Sequence, residues 1–364
     1  MDKNVRKRYG NLKIIWHSDK LRSLLKDEVS PPICIRIKPT NKCNHRCYYC
    51  SYHPEAKINL SENINLNDEI PREKMLEILD DLKEMGVKAV TYSGGGEPLI
   101  YPYITEILKK TIENGIDLSM ITNGQCLKGI NAKLLSKAKW VRISLDACRP
   151  ETFSINRNVS QKLFFELVEN IKEFAKKKDS QCELGINFVV SHVNKDEIFE
   201  AAKFFKELGV NHIKFTPRWV EDGWMEYHSP FKEHVIEQIN KAKKEIIETD
   251  PKKRFGIYDT YENDFKMTGI KNREYTQCYI MQTVPVIGAD SNVYFCHDKT
   301  YTKKGALGSI KDRSFKELWY SKEAKEKFKS LNPQVECKQH CTYDHRNLII
   351  RDAIDCYGDN INFI

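Results

Sequence analysis

The chain has 364 residues, with 59 Lys and Arg against 51 Asp and Glu for a formal charge of +8. That length exceeds the roughly 250–300 residues at which one hydrophobic core stops growing, so one large domain and a smaller one are expected. The 12 cysteines fall well short of the ~8–10% that marks a disulfide scaffold, the basic start "MDKNVRKRYGNLKIIW" lacks a secretory apolar run, and no stretch spans a membrane, which together imply a soluble cytoplasmic protein.

Short β-branched apolar runs alternate with amphipathic ones. In chain order they predict strand 33–38, helix 71–86, strand 87–92, helix 103–115, strand 117–122, a short helix near 131–138, strand 140–145, helix 161–178, strand 184–190, helix 195–209, strand 212–217 and helix 230–249. Met75, Ile78, Leu79 and Leu82 carry the helical spacing, and Gly86, Gly115 and Gly209 stop three of the helices. Six β-then-α units in series require a parallel sheet with helices packed outside it. Periodicity alone leaves open whether the sheet is flat or curved into a partial barrel. Polar residues that break the pattern stand just past strand ends, where α/β folds build sites: 41–50, 93–97, Asn123, Ser144 with Asp146, His192 and Arg218. After about residue 250 the rhythm stops, and short strand-like pieces with four more cysteines read as a second module. The positive charge is spread through Lys-rich helices such as "FAKKKDS", the pattern of solvated helix faces, so neither a nucleic-acid nor a membrane partner is expected.

"KPTNKCNHRCYYCSY" spaces Cys43, Cys47 and Cys50 as C-x-x-x-C-x-x-C. Thiolates select zinc and iron–sulfur clusters. A structural zinc needs a fourth ligand, here His45 or His53, whereas a cubane cluster on three cysteines leaves one iron open, as catalytic metal sites do. In "TYSGGGEPL", three glycines permit close backbone approach to a ligand and the carboxylate after them can accept from an ammonium; a plain strand-to-helix turn explains the same text. Farther on, Cys278 and Cys296 bracket a predicted hairpin turning at "GADSN", and "CKQHC" adds Cys337 and Cys341. Four thiolates make a closed set for zinc or for a cluster. Cys34 and Cys182 read as small apolar residues. Cys126 and Cys148 follow strands three and four and are placed to reach a cavity at that edge, with Cys356 left over. His192, Arg218 and Trp219 stand where substrate would sit.

The cysteine loop, with Tyr49 as the aromatic of C-x-x-x-C-x-aromatic-C directly after the first strand of a serial βα domain, resembles the radical S-adenosylmethionine (SAM) enzymes. The resemblance implies a [4Fe-4S] cluster on Cys43, Cys47 and Cys50, with SAM chelating the fourth iron. Reductive SAM cleavage to a 5′-deoxyadenosyl radical that abstracts hydrogen from substrate is the implied chemistry. It further implies that Gly95, Gly96 and Glu97 hold the SAM amino group, with Gly94 shaping the turn of that cofactor-binding segment, that Tyr49 packs near the adenine, that Asn123, Ser144 and Asp146 meet the ribose and carboxylate, and that Arg157 reaches the carboxylate. The text around the last four cysteines, including "GALGSIKDRSFKELW", resembles the SPASM/twitch extension of the same enzymes. That implies one auxiliary [4Fe-4S] cluster on Cys278, Cys296, Cys337 and Cys341, with Cys356 as an alternative ligand.

The expected architecture is α/β: a partial (βα)6 TIM-like barrel at 33–225 after an N-terminal extension at 1–32, a linking helix at 226–254, a small α+β twitch/SPASM module at 255–345 and a tail at 346–364. The expected function is a radical SAM oxidoreductase drawing on an electron donor such as flavodoxin or ferredoxin. An auxiliary cluster near substrate suits net oxidation, and a small molecule such as a sugar or cyclitol alcohol is preferred over the alternative, maturation of a ribosomal peptide. A zinc-stabilised nucleic-acid-binding protein is the rival from another class; it leaves "GGGEP" and the six βα units unexplained.

Overall fold

The computed structural model describes residues 8–53, 62–220, 223–249, 255–262, 273–337, 341–358 and 361. Seven parallel strands follow in chain order: β1 (Cys34–Ile37), β2 (Ala89–Tyr92), β3 (Asp117–Thr122), β4 (Trp140–Ser144), β5 (Glu183–Val190), β6 (His212–Pro217) and β7 (Gly256–Asp259). Each pairs in parallel with the next. The crossover helices include α1 (Arg72–Met85), α2 (Ile104–Glu113), α3 (Gly129–Leu135), α4 (Pro150–Arg157), α5 (Lys162–Lys177), α6 (Ile198–Glu207) and α7 (Lys232–Ala242). Their apolar faces close the outer core: Met75, Ile78, Leu79 and Leu82 of α1 are all fully buried, each such side chain contributing about 1.5–3 kcal/mol of burial free energy. Gly86, at φ +75°, ends α1 in the left-handed cap that a side chain there would strain.

Along the strands, alternate residues face a polar lumen. Ile35 and Ile37 of β1, like Val141 and Ile143 of β4, are buried under the helices, while Arg36, Arg142 and Ser144 line one common cavity with Ser93 and Ile121. Side chains of one parity from four successive strands meet only if the sheet curves into a partial barrel. Its floor is closed by the N-terminal segment. Arg8 pairs with Glu183 at 2.8 Å and donates to the Tyr258 hydroxyl, and the Tyr9 hydroxyl stands 2.9 Å from Nε2 of His212.

Beyond β1 the sheet continues on its other edge. β8 (Val286–Ile287) pairs in parallel with β1, β9 (Asn292–Tyr294) turns back on β8 as the predicted hairpin, and β10 (Ala306–Ser309) follows, giving the order β10-β9-β8-β1-β2-β3-β4-β5-β6-β7. A short helix, Phe315–Trp319, is capped by a reciprocal Ser314–Glu317 box. It docks on α1, where Asp81 accepts from the Lys316 N–H, and the buried Trp319 donates its indole N–H to the Ser30 carbonyl.

Three expectations change. The predicted parallel strands end at Pro217, and the second module starts at 255, but Gly256–Asp259 is a seventh barrel strand bonded to β6. Four residues flanked by charge and turn residues carry too little periodicity to reveal it. The helix read as a linker, α7, buries Val235, Ile239 and Ala242 against α6 as the last barrel helix. The tail from 346 lies largely within a helix, Asp344–Asp355, whose Ile350 joins Ile14, Leu24 and Ile280 in a satellite core. Helix α4 is absent from the sequence reading, because its Pro at N1 and its Asn158 cap flank only eight residues.

Candidate active site

The cysteine loop leaves β1 at Lys38 and crosses the mouth of the barrel, held by main-chain bonds to the Gly-rich turn. Gly96 N–H donates to the Thr40 carbonyl at 3.0 Å and Glu97 N–H to that of Lys42 at 2.9 Å. A Cβ on Gly95 would fall 1.9 Å from Oδ1 of Asn41, and one on Gly96 would fall 1.9 Å from the Lys42 carbonyl oxygen. The close approach that these glycines permit is therefore in the first instance to the loop carrying the cysteines.

Cys43, Cys47, Cys50, the three glycines, Glu97, Asn123, Ser144 and Arg157 line a single cavity of about 440 Å³. Glu97 is 2% exposed, and its carboxylate accepts from the Thr122 hydroxyl and the Asn123 N–H, both at 2.6 Å, and from the Leu99 N–H at 3.0 Å. Burial raises its pKa and these donors oppose the rise. Asn123 also donates to Oδ1 of Asn44, tying the third strand to the cysteine loop.

Tyr49 and Asp146 are not among the cavity's lining residues. The Tyr49 hydroxyl donates to Oδ2 of Asp146 at 2.6 Å, and Arg157, which does line the cavity, pairs with Oδ1 while its other nitrogen donates to Sγ of Cys47 at 3.3 Å. Burial works against the Arg157 charge, but Asp146, Tyr49 and Cys47 outweigh it and raise its pKa. Arg157 is thus a donor to a cysteine as much as a group facing the cavity. Replacing it with Met is expected to cost about 3–5 kcal/mol, because the buried Asp146 carboxylate loses its counter-charge; equilibrium denaturation in urea measures this.

A second cavity, of about 410 Å³, is lined by Cys278, Cys296, Cys337 and Cys341 together. Cys356 is exposed and outside it. Burial pushes the Cys341 thiol up to about 12 and the Cys50 and Cys278 thiols up to about 11. Neighbouring thiols add to the effect, so these groups hold their protons at neutral pH until a cationic centre displaces them. Among the described residues no three His, Cys, Asp or Glu side chains converge on a single-ion position. The cysteines are arrayed around spaces rather than points, a donor set that fits multi-iron clusters, three thiols at one site and four at the other. His45, offered above as a zinc ligand, lines the first cavity, and burial and the Arg157 charge lower its pKa to about 4.

Other candidates lie elsewhere. Cys126 and Cys148 line neither cavity, and Cys148 is held by Glu197, which accepts from its N–H at 2.9 Å. His192 and Arg218 gather on the Tyr227 hydroxyl, with Arg218 over the Tyr48 ring at 4.7 Å. The sequence reading missed Arg36, Arg142 and His297, which complete the first cavity. A charged residue in the middle of a predicted buried strand was the signal for the two arginines.

Residues 37–205 match the family model of the radical SAM superfamily, and residues 278–342 match the SPASM model of an iron–sulfur cluster-binding domain. A GTP 3′,8-cyclase of Aquifex aeolicus is 28% identical over 330 residues, covering 86% of this chain and 96% of that protein. A probable GTP 3′,8-cyclase of Thermococcus kodakarensis is 33% identical over 189 residues, which span 51% of this chain and 57% of that protein. Among solved structures, Streptococcus suis SuiB bound to S-adenosylmethionine has a TM-score of 0.62 at 18% identity, covering 87% of this chain and 72% of that one. Native anSMEcpe with bound AdoMet has a TM-score of 0.59 at 22% identity, covering 87% and 88%. At these identities the two structures share the fold, a TIM-like partial barrel. The cofactors that accompany the two matched domains are SAM with a [4Fe-4S] cluster, and an auxiliary iron–sulfur cluster. The serial barrel, the three-cysteine cavity at its mouth and the two matches together place this chain in the radical SAM superfamily, with a C-terminal SPASM module.

Proposed function

We propose that the enzyme acts on a small phosphorylated molecule, a nucleotide or a phosphorylated sugar, bound in the barrel lumen beneath the cysteine loop. The observation that carries this reading is the pair Arg36 and Arg142. Both line the cavity that holds Cys43, Cys47 and Cys50, and among the described residues neither guanidinium is paired with a carboxylate. Nε of Arg142 is buried with no acceptor. Two guanidinium groups facing a cavity recognise phosphate oxygens by charge-assisted, often bidentate hydrogen bonds. The full-length similarity to a GTP 3′,8-cyclase supports a phosphorylated substrate over the uncharged sugar or cyclitol alcohol expected above.

In this reading Cys43, Cys47 and Cys50 hold the cluster to which SAM binds, and Cys278, Cys296, Cys337 and Cys341 hold the auxiliary one. Bound together, cluster and SAM supply reductive cleavage of the sulfonium and hydrogen abstraction from substrate. The protein's own part is placement. Glu97, with three of its acceptor positions filled, presents a fixed carboxylate edge to the SAM ammonium, and Asn123 and Ser144 border the same space. Arg157 steadies the Cys47 sulfur, and Tyr49 and Asp146 fix Arg157. Arg36 and Arg142 draw the substrate's phosphates below the cysteine loop, and the Arg8–Tyr9 plug closes the floor against water.

The test is a panel of nucleoside triphosphates, nucleotide-linked sugars, neutral sugars and cyclitols, and any peptide encoded beside the gene, each incubated anaerobically with reconstituted enzyme, SAM and dithionite. Mass spectrometry is expected to show formation of 5′-deoxyadenosine coupled to loss of a phosphorylated compound. A product two mass units lighter marks net oxidation and an unchanged mass marks rearrangement. Arg142→Gln is expected to raise KM for that compound about ten-fold or more, the ~1.5–3 kcal/mol of a hydrogen bond to a charged group, and to leave uncoupled SAM cleavage intact. Turnover confined to a neutral compound or to a peptide would sink the proposal.

A further inference from the structure

Lys38 stands between β1 and the cysteine loop and is completely buried, at 0% exposure. Its ammonium donates to the Tyr52 hydroxyl at 2.7 Å and lies 3.9 Å from the centroid of the Tyr52 ring and 5.2 Å from that of Tyr301. No carboxylate stands within ion-pair distance of it among the described residues. Burying an unpaired ion costs more than a desolvated cation–π contact returns. Burial, reinforced by Arg36, accordingly holds its pKa well below the ordinary lysine value, while Cys50, Asp298 and Asp290 act in the opposite direction.

The cage around this group is built deliberately. Tyr301 adopts φ +64°, a left-handed conformation unfavourable for a non-glycine residue. Its hydroxyl donates to Oδ1 of Asn41 on the cysteine loop and accepts from the Ala289 N–H on the C-terminal hairpin. Tyr52, just after Cys50, stands 3.3 Å from Nδ1 of His297, the residue after Cys296. The lone cation therefore sits where the loop of the first cysteine site meets the loop of the second.

We propose that Lys38 is a positioning residue that acts as counter-cation to the first cluster: its missing partner is the negative charge of the Cys43, Cys47 and Cys50 thiolates and the cluster they hold, and it makes that cluster easier to reduce. This rests on the iron–sulfur assignment above. Cluster potentials respond to nearby charge and to burial, and removal of a positive charge disfavours adding an electron.

The test compares wild type, Lys38→Met and Lys38→Arg as full-length chains, with and without reconstituted iron and sulfide. EPR-monitored redox titration is expected to place the first cluster of Lys38→Met at a more negative midpoint than wild type, and Lys38→Arg closer to wild type. Without metal, Lys38→Met is expected to melt at or above wild type, because a buried amino group with no charge partner has been replaced by an apolar side chain of similar length. A metal-free variant that melts so but fails to take up the first cluster also supports the proposal, since the cation is then needed to assemble it. An unchanged midpoint in iron-loaded Lys38→Met overturns it. So does a metal-free Lys38→Met that melts below wild type, which would make Lys38 a structural residue. If wild type itself takes up no iron, it is the cluster assignment that fails, and the metal-free melting comparison still reads Lys38 separately.

Discussion

Cys43→Ala is expected to abolish reductive cleavage of SAM and to lower the iron content of reconstituted protein from about eight to about four per chain, the loss of one of two cubanes. Cys278→Ala is expected to leave SAM cleavage intact and to stop product formation. The asymmetry follows from the placement of the two sets. Cys43 shares its cavity with Glu97 and Asn123, whereas Cys278 lines a separate cavity with three other cysteines. Iron and sulfide analysis, with quantification of 5′-deoxyadenosine, reads both variants. Retained product formation in Cys278→Ala would show that the auxiliary site is not needed through that ligand.

Gly96→Ala carries the second large effect. The added methyl group would stand 1.9 Å from the Lys42 carbonyl oxygen and 2.5 Å from the Asn41 carbonyl carbon. Both are backbone atoms of the cysteine loop, which no rotamer change can move aside. The loop must retreat, breaking the Gly96 to Thr40 and Glu97 to Lys42 bonds, at about 3 kcal/mol or more by overpacking and lost hydrogen bonds together. The expected result is a lower melting temperature together with loss of the first cluster, while the second site still takes up iron. An alanine variant that loads both clusters normally would show that the glycine turn is not what clamps the loop.

These two residues illustrate what could be read from the text. Cys43 was legible because thiolate spacing is a local property: three soft ligands on one loop after a strand admit few uses. The Gly-rich turn was legible as a close approach, but not its partner. That the glycines meet Asn41 and Lys42 depends on β1 and β2 being neighbours, a fact of strand pairing. Tyr49 and Asp146 were read as cofactor contacts; that they also join Arg157 in one hydrogen-bonded set was not legible, because it depends on how the cysteine loop packs on β4 and α4 and has no signature in spacing. Arg36 and Arg142 went unassigned because two isolated charges on strands far apart in the chain become a pair only when the sheet curves.

By itself, then, the sequence determined what is written in short-range order: the alternation of strands and amphipathic helices, the capping glycines, the three-cysteine loop, the glycine turn and the C-terminal hairpin. Hydrophobic period and residue chemistry act over a few residues and survive without a fold. The tertiary structure decided which of these pieces meet. Pairing of β8 with the free edge of β1 sets the C-terminal cysteines beside the barrel mouth. It also brings Tyr301 over Lys38 and His297 into the first cavity. That contact joins residues some 250 positions apart, and only sheet hydrogen bonding and burial, summed over the whole chain, select it.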